Sequence, residues 1–167
     1  MHWQITNRAD PEANRMAKQH YTCQSPNSGQ FMPPGSCMVL KISPMLAVWG
    51  TSWPKAEFVQ HAWAGAWMCS IFRNNGAGLS SELILEAVAA TKWFYQCPPC
   101  AVPELGMVTF IDTRFVKGPH YGYCYKRAGF IHVGETKGGL LAFQLKPDDM
   151  PISDHPLGAQ AVMDLFV

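Results

Sequence analysis

The sequence predicts a single mixed α/β domain of the α+β kind, with a mostly antiparallel sheet, flanking helices and one parallel pairing near the centre. Three observations carry this. β-rich apolar runs cluster towards both ends of the chain, one strongly patterned helix lies in the middle, and strand and helix alternate only around that helix. Clustered strands pair as hairpins, whereas a strand–helix–strand unit returns parallel to its first strand. The 167 residues contain no repeat or low-complexity stretch, so one domain over 1–167 is expected. A hydrophobic content of 48% supports a core and argues against disorder.

Residues 24–36, QSPNSGQFMPPGS, have the composition of a loop. CMVLKI (37–42) and MLAVWGTSW (45–53) follow as paired strands, with Pro44 in their connection. The segment opened by Pro54, PKAEFVQHAWA, fits no single type. AWMCSIFR (66–73) reads as a mostly buried strand running into the glycine-rich turn RNNGAGLSS. SELILEAVAATKWFY (81–95) has the clearest helical period: Leu83, Ile84, Ala87, Val88, Thr91 and Tyr95 share one face, and Ser80 or Ser81 can cap it. Prolines break QCPPCAVPELG (96–106) ahead of the β-rich run MVTFID (107–112). GYCYKRAG allows one or two helical turns stopped by Gly129. FIHVGET (130–136) and LLAFQLK (140–146) form a hairpin around Gly138-Gly139. The tail ends in AQAVMDLFV, a docking-helix pattern.

Net charge is +1 and charged residues make up 15%, so no broad basic surface advertises nucleic acid. This counts against a protein held on DNA by phosphate contacts alone, not against an enzyme that grips one nucleotide in a pocket. No run of 18 apolar residues occurs, so a membrane-spanning helix is not expected. The polar start, MHWQITNRADPEANR, lacks the apolar core of a secretory signal, and a cytoplasmic location is the default expectation. The six cysteines, Cys23, Cys37, Cys69, Cys97, Cys100 and Cys124, are expected as free thiols. Cys97 and Cys100 form C-P-P-C, half a zinc site with no second half.

Four features can carry chemistry. Arg73, Gly76 and Gly78 form R-x-x-G-x-G between a strand and a helix. Such a turn brings backbone close to a ligand and presents unpaired helix N–H groups to phosphate. Its alternative is an ordinary strand-to-helix turn with a surface arginine. Asp112 ends a strand, where an acid in an α/β sheet often faces the ligand crevice; its alternative is a cap or turn aspartate. Tyr125 begins a short basic turn within HYGYCYKRAGF, either to fill the core or to handle a proton. His20 and Tyr21, in QHY, are either packing residues or site residues.

R-x-x-G-x-G after a strand, with Y-x-x-x-G-F ahead of the last two strands, resembles the GNAT superfamily of acyl-CoA N-acyltransferases. The resemblance implies a GNAT-like sheet with a central parallel splay. It implies that Arg73, Gly76 and Gly78 cradle the pyrophosphate of acetyl-CoA or another acyl donor. It also implies that Tyr125 protonates the departing thiolate, a task suited to a phenol of pKa about 10. More narrowly, His20-Tyr21, Asp112 at a strand end, H-x-G-x-x-Y-x-x-x-G-F (His120, Gly122, Tyr125) and G-x-T (Gly134, Thr136) resemble the Mom family of phage DNA-modification proteins over most of 15–147. The family's helix element is matched at Glu82 and Leu83.

That resemblance implies a phage-encoded enzyme of the host cytoplasm that adds a carbamoylmethyl (acetamido) group to adenine N6 and so shields DNA from restriction. It implies iron near His20, Tyr21, Asp112 and Tyr125, whose imidazole, carboxylate and phenolate groups suit that metal. A metal-bound Tyr125 would be ionised and could not also donate a proton, so its two roles compete. A homodimer is left open. The adenine must flip out of the duplex, at about a few kcal/mol, and stacking on an aromatic side chain returns about 1–3 kcal/mol. Trp49, Trp53 and Trp63 are candidates for that platform, although aromatic residues mainly serve packing and the core is the commoner place for each. Arg114, Lys117, Lys126 and Arg127 can hold phosphates or form a solvated face. The competing expectations are a generic GNAT N-acetyltransferase acting on a small amine or protein, and a non-catalytic accessory domain.

Overall fold

The computed structural model describes residues 1–21, 29, 31–54, 59–95 and 102–159. Its strands are β1 (Gln4–Thr6), β2 (Ser36–Ile42), β3 (Ala47–Trp53), β4 (Trp67–Asn74), β5 (Met107–Ile111), β6 (Ile131–Glu135) and β7 (Leu141–Leu145). Its α-helices are α1 (Pro11–Ala17), α2 (Ser80–Tyr95) and α3 (Tyr123–Arg127). The strands form one seven-stranded sheet in the order β1-β2-β3-β4-β5-β7-β6. Every pairing is antiparallel except β4 with β5, as expected for a mixed α+β fold.

Helix α2 forms because its apolar residues recur at helical spacing, and all six residues expected on its inner face are buried. Thr91, the polar member of that face, donates its hydroxyl to the Ala87 carbonyl (2.8 Å) and shares a 3.0 Å hydrogen bond with Thr51. Thr51 in turn accepts the Trp49 indole N–H at 2.7 Å. The buried polar groups thus satisfy one another beneath the helix. Trp49 is fully buried in this core, so it is a packing residue and not a platform for a base. At the other end of α2, the Trp3 indole donates to the Leu83 carbonyl at 2.9 Å and ties β1 to the helix.

Helix α1 and strand β1 are additions to the elements read from the sequence. Asp10 caps α1 by accepting the Ala13 N–H at 2.8 Å, and Pro11 occupies the first turn. Lys41 of β2 then reaches Asp10 (2.8 Å) and Glu12 (3.1 Å). Burial pushes the Asp10 carboxyl up, but the bonds from Lys41, Ala13 and Thr6 outweigh it and bring the group down to about 2. Ala13, Met16 and Ala17 pack with Val39, Val48 and Ile71. These strand residues alternate with Met38, Leu40, Ala47 and Trp49 in the larger core cluster that α2 joins. The two helices therefore cover opposite faces of the sheet, since successive strand residues point to opposite sides.

Strands β4 and β5 stay together for two register pairs, Trp67↔Met107 and Met68↔Val108. Beyond them β4 remains with β3 and β5 with β7. A bulge explains the parting: Cys69 lies opposite Thr51 and Ile71 opposite Gly50, so Ser70 is an extra residue on β4. A bulged strand bends and twists more strongly than its partner. The result is a fork inside the sheet.

Cys37, Cys69 and Cys124 are free thiols. The C-P-P-C turn, Cys23 and the tail beyond residue 159 lie outside the described residues. Among the described residues no helix is long and apolar enough to cross a membrane.

Gly106 precedes β5 at φ +68°, where a Cβ would run into the Leu145 carbonyl. Gly106→Ala is expected to lower stability by about 2 kcal/mol or more, because the left-handed conformation and a backbone clash coincide. Urea unfolding of the two proteins measures it.

Candidate active site

Cys69 and Thr109 are the first residues beyond the last β4/β5 pair, so they sit in the crotch of the fork. The Thr109 hydroxyl donates to the Cys69 carbonyl at 3.3 Å and occupies one acceptor that the parting strands release. Tyr125 reaches the same point from α3, its hydroxyl 3.7 Å from Cys69 Sγ. Gly122 makes this approach possible. It precedes α3 at φ +68°, and a Cβ there would lie 2.7 Å from Phe143 Cζ and 2.9 Å from Ile111 Cδ1. Phe72 and Phe130 meet the Tyr125 ring edge-on at 6.3 and 5.3 Å between centroids.

Burial raises the Tyr125 phenol well above its ordinary value, with Cys69 and Cys124 adding to the effect. Burial likewise pushes the Cys69 thiol up to about 12. At neutral pH both groups keep their protons. Tyr125 is thus a protonated phenol that can donate a hydrogen bond, whereas Cys69 is a poor nucleophile and serves as the phenol's hydrogen-bond partner.

A cavity of about 260 Å³ opens at the fork, and His20, Tyr21, Ser80 and Thr109 line it with Tyr125. His20 and Tyr21 arrive from the end of α1 and stack at 4.4 Å between centroids, 27° between planes. Burial, then the nearby Arg73 charge, lowers the His20 imidazole to about 4, so it is neutral at physiological pH. The Tyr21 phenol is raised, first by burial; the Asp112 backbone N–H bonded to it works in the opposite sense. A second cavity of about 760 Å³ shares Tyr21, Cys69, Ser70, Ile71 and Phe110 with the first and adds Asp112 and Arg114. The structure therefore places His20, Tyr21 and Tyr125 around one cavity and Tyr21 and Asp112 around a second that shares five lining residues with it, although they are far apart in sequence.

Asp112 is already engaged there. Arg114 donates to its carboxylate through Nη2 (2.6 Å) and Nε (2.9 Å), and the Arg114 backbone N–H adds a bond at 3.0 Å. These bonds hold the carboxyl below its ordinary range. As arranged, the four residues do not present a ligand set for iron. A metal would have to displace Arg114 from Asp112 and strip the proton from a phenol whose surroundings favour keeping it. Among the described residues no group of three His, Cys, Asp or Glu side chains is placed to hold a metal ion.

The glycine turn fits an anionic group better. Gly76 and Gly78 adopt φ of +108° and +149°, and a Cβ on either would meet nothing within 4 Å. The Asn74 side chain takes the Gly76 and Ala77 N–H groups at 3.0 and 2.8 Å. The next amides, at Gly78, Leu79, Ser80 and Ser81, have no partner among the described residues. They are the donors that the start of α2 leaves open. Asn74 and Ser80 form the cavity's rim on this side. Arg73 points elsewhere, donating to the Gln19 carbonyl and to Asn75 Oδ1, both at 2.9 Å. These bonds hold the end of α1 against the turn.

Of the remaining cations, Lys126 lies over the Phe143 ring at 5.6 Å and Arg127 is exposed. Trp53 packs edge-on against Trp67 and Tyr95, and Trp63 lies tilted by 59° against Phe110. Cys69 and Thr109 went unnoticed in the sequence because only the parallel register shows that they are neighbours.

The depressed His20 value has a testable sign. Its folded-state pKa lies below the ordinary 6.5, so it contributes stability above that pH, lost as pH falls from 6.5 towards 4. The His20 ring resonances are expected to stay flat in an NMR titration from about pH 8 to 5, and Arg73→Ala to raise the midpoint. No family model matches the sequence, and neither a curated protein nor a solved structure matches it.

Proposed function

We propose that the chain is a GNAT-type transferase of the Mom kind, which modifies the N6 amine of adenine in phage DNA with a carbamoylmethyl group and so protects the DNA from restriction. One observation carries the reading: His20, Tyr21 and Tyr125 line a single cavity at a fork between parallel strands, beside a glycine turn with open helix amides and contiguous with Asp112.

A coenzyme A-type donor would have to carry the transferred group on sulfur through the carbon that joins N6, a methylene for a carbamoylmethyl group and a carbonyl for an acyl group; that carbon–sulfur bond breaks as the bond to N6 forms, and the thiolate leaves. Gly78, Leu79, Ser80 and Ser81 offer backbone N–H groups to its phosphates. The fork lets the donor's reactive end approach Tyr125. Tyr125 is protonated at neutral pH and can hydrogen-bond a leaving thiolate, and its burial means that the thiolate must be drawn close before the proton passes to it. His20 is neutral and can accept the proton that N6 loses on forming its new bond. The Asp112–Arg114 pair borders the larger cavity, where the substrate enters.

A generic N-acetyltransferase acting on a small amine or protein would use the same fork, phenol and amides. It has no need of the His20–Tyr21 pair, which favours the first reading. Mass spectrometry of nucleosides from cells expressing the chain separates the two. An adenosine heavier by a carbamoylmethyl group is expected, and its yield should fall at least about 100-fold in Tyr125→Phe, the scale of a lost general acid. Unmodified nucleosides with acetyl transfer to small amines would establish the generic enzyme instead.

A further inference from the structure

The loop after β5 carries Arg114, Phe115 and Lys117, all exposed, with Phe115 60% accessible. Phe115 is nevertheless held in an ordered arrangement. Its ring lies 5.5 Å from that of Tyr21 with only 9° between the planes, and Tyr21 stacks on His20 in turn. Three rings form a pile that rises from the fork cavity to the surface, with Phe115 at its outer end. The Arg114 guanidinium stands 5.6 Å from the Phe115 centroid and is itself anchored on Asp112. Lys117 has no ion pair among the described residues.

We propose that Phe115 is the stacking platform for a nucleobase of single-stranded or extruded DNA, with Lys117 meeting a flanking phosphate. This rests on the DNA-modifying reading above and names the residue that receives the base. An aromatic face supported from beneath is preorganised, so a base stacking on it orders little else. Lys117, two residues from that ring, gives the charge complementarity a phosphodiester requires, while Arg114 is balanced by Asp112. A protein partner would call for a wider apolar patch than one ring. Phe115 also lines the cavity of about 760 Å³ that contains Asp112, so a stacked base stands at the entrance to the cleft. Tyr123, also exposed, has among the described residues His120 as its ring neighbour, at 6.5 Å and tilted by 58°, and lacks such parallel support.

The test uses the full chain and a short single-stranded oligonucleotide with one 2-aminopurine, whose fluorescence falls when the base stacks. Wild type should bind and quench. Phe115→Ala should bind about tenfold or more weakly and lose the quench, with an unchanged circular dichroism spectrum, while Phe115→Trp keeps both. Lys117→Ala should weaken binding regardless of sequence and reduce its salt dependence. If Phe115→Ala binds and quenches as wild type does, the platform is overturned while DNA as substrate stands. If wild type ignores DNA yet binds coenzyme A, both the platform and the DNA reading fail.

Discussion

Parallel pairing between β4 and β5 ends at Met68↔Val108, and the candidate site depends on that ending. A sheet that opens in its middle exposes backbone groups that pairing would have satisfied, and such groups need other partners. Thr109 supplies one by bonding the Cys69 carbonyl. The Ser70 bulge bends β4 away, and Tyr125 seals the crotch from the α3 side. The fork is thus a gap with a floor of defined polarity, continuous with a cavity at the surface.

Its electrostatics follow from that burial. Tyr125, Cys69 and His20 are uncharged at neutral pH, each because desolvation disfavours its ionised form. Among the described lining residues, the Asp112–Arg114 pair carries the charge, and Arg73 nearby is turned towards Gln19. A site of this kind suits proton exchange with a neutral amine and a thiol leaving group, where charge appears only during reaction. It suits a metal less well, since the expected ligands already have other partners.

The sheet was legible where sequence patterns are local. The α2 face, the β6–β7 hairpin and the strand–turn–helix around Arg73 follow from periodicity and glycine placement. The expectation that His20, Tyr21, Asp112 and Tyr125 converge rested on a resemblance, because no spacing rule links residues so far apart; Tyr21 lines both cavities, with His20 and Tyr125 in one and Asp112 in the other. Helix α1 was legible in principle: Asp10-Pro11-Glu12 is a helix start, yet its few apolar positions give a weak period. The clamp of Arg114 on Asp112 and the Cys69–Tyr125 contact were not legible, since both depend on where side chains point once the strands part. Phe115 gave no signal either. Its meaning comes from the parallel ring beneath it, and tertiary placement alone supplies that ring.

The central claim is that donor and acceptor meet in the fork between β4 and β5. Titrating the isotope-labelled chain with coenzyme A and following its amide resonances tests this most directly. The account predicts the largest shifts at Gly78–Ser81, at Cys69–Ile71 and at Thr109–Ile111. Shifts confined to other surfaces, or none at millimolar ligand, would contradict it.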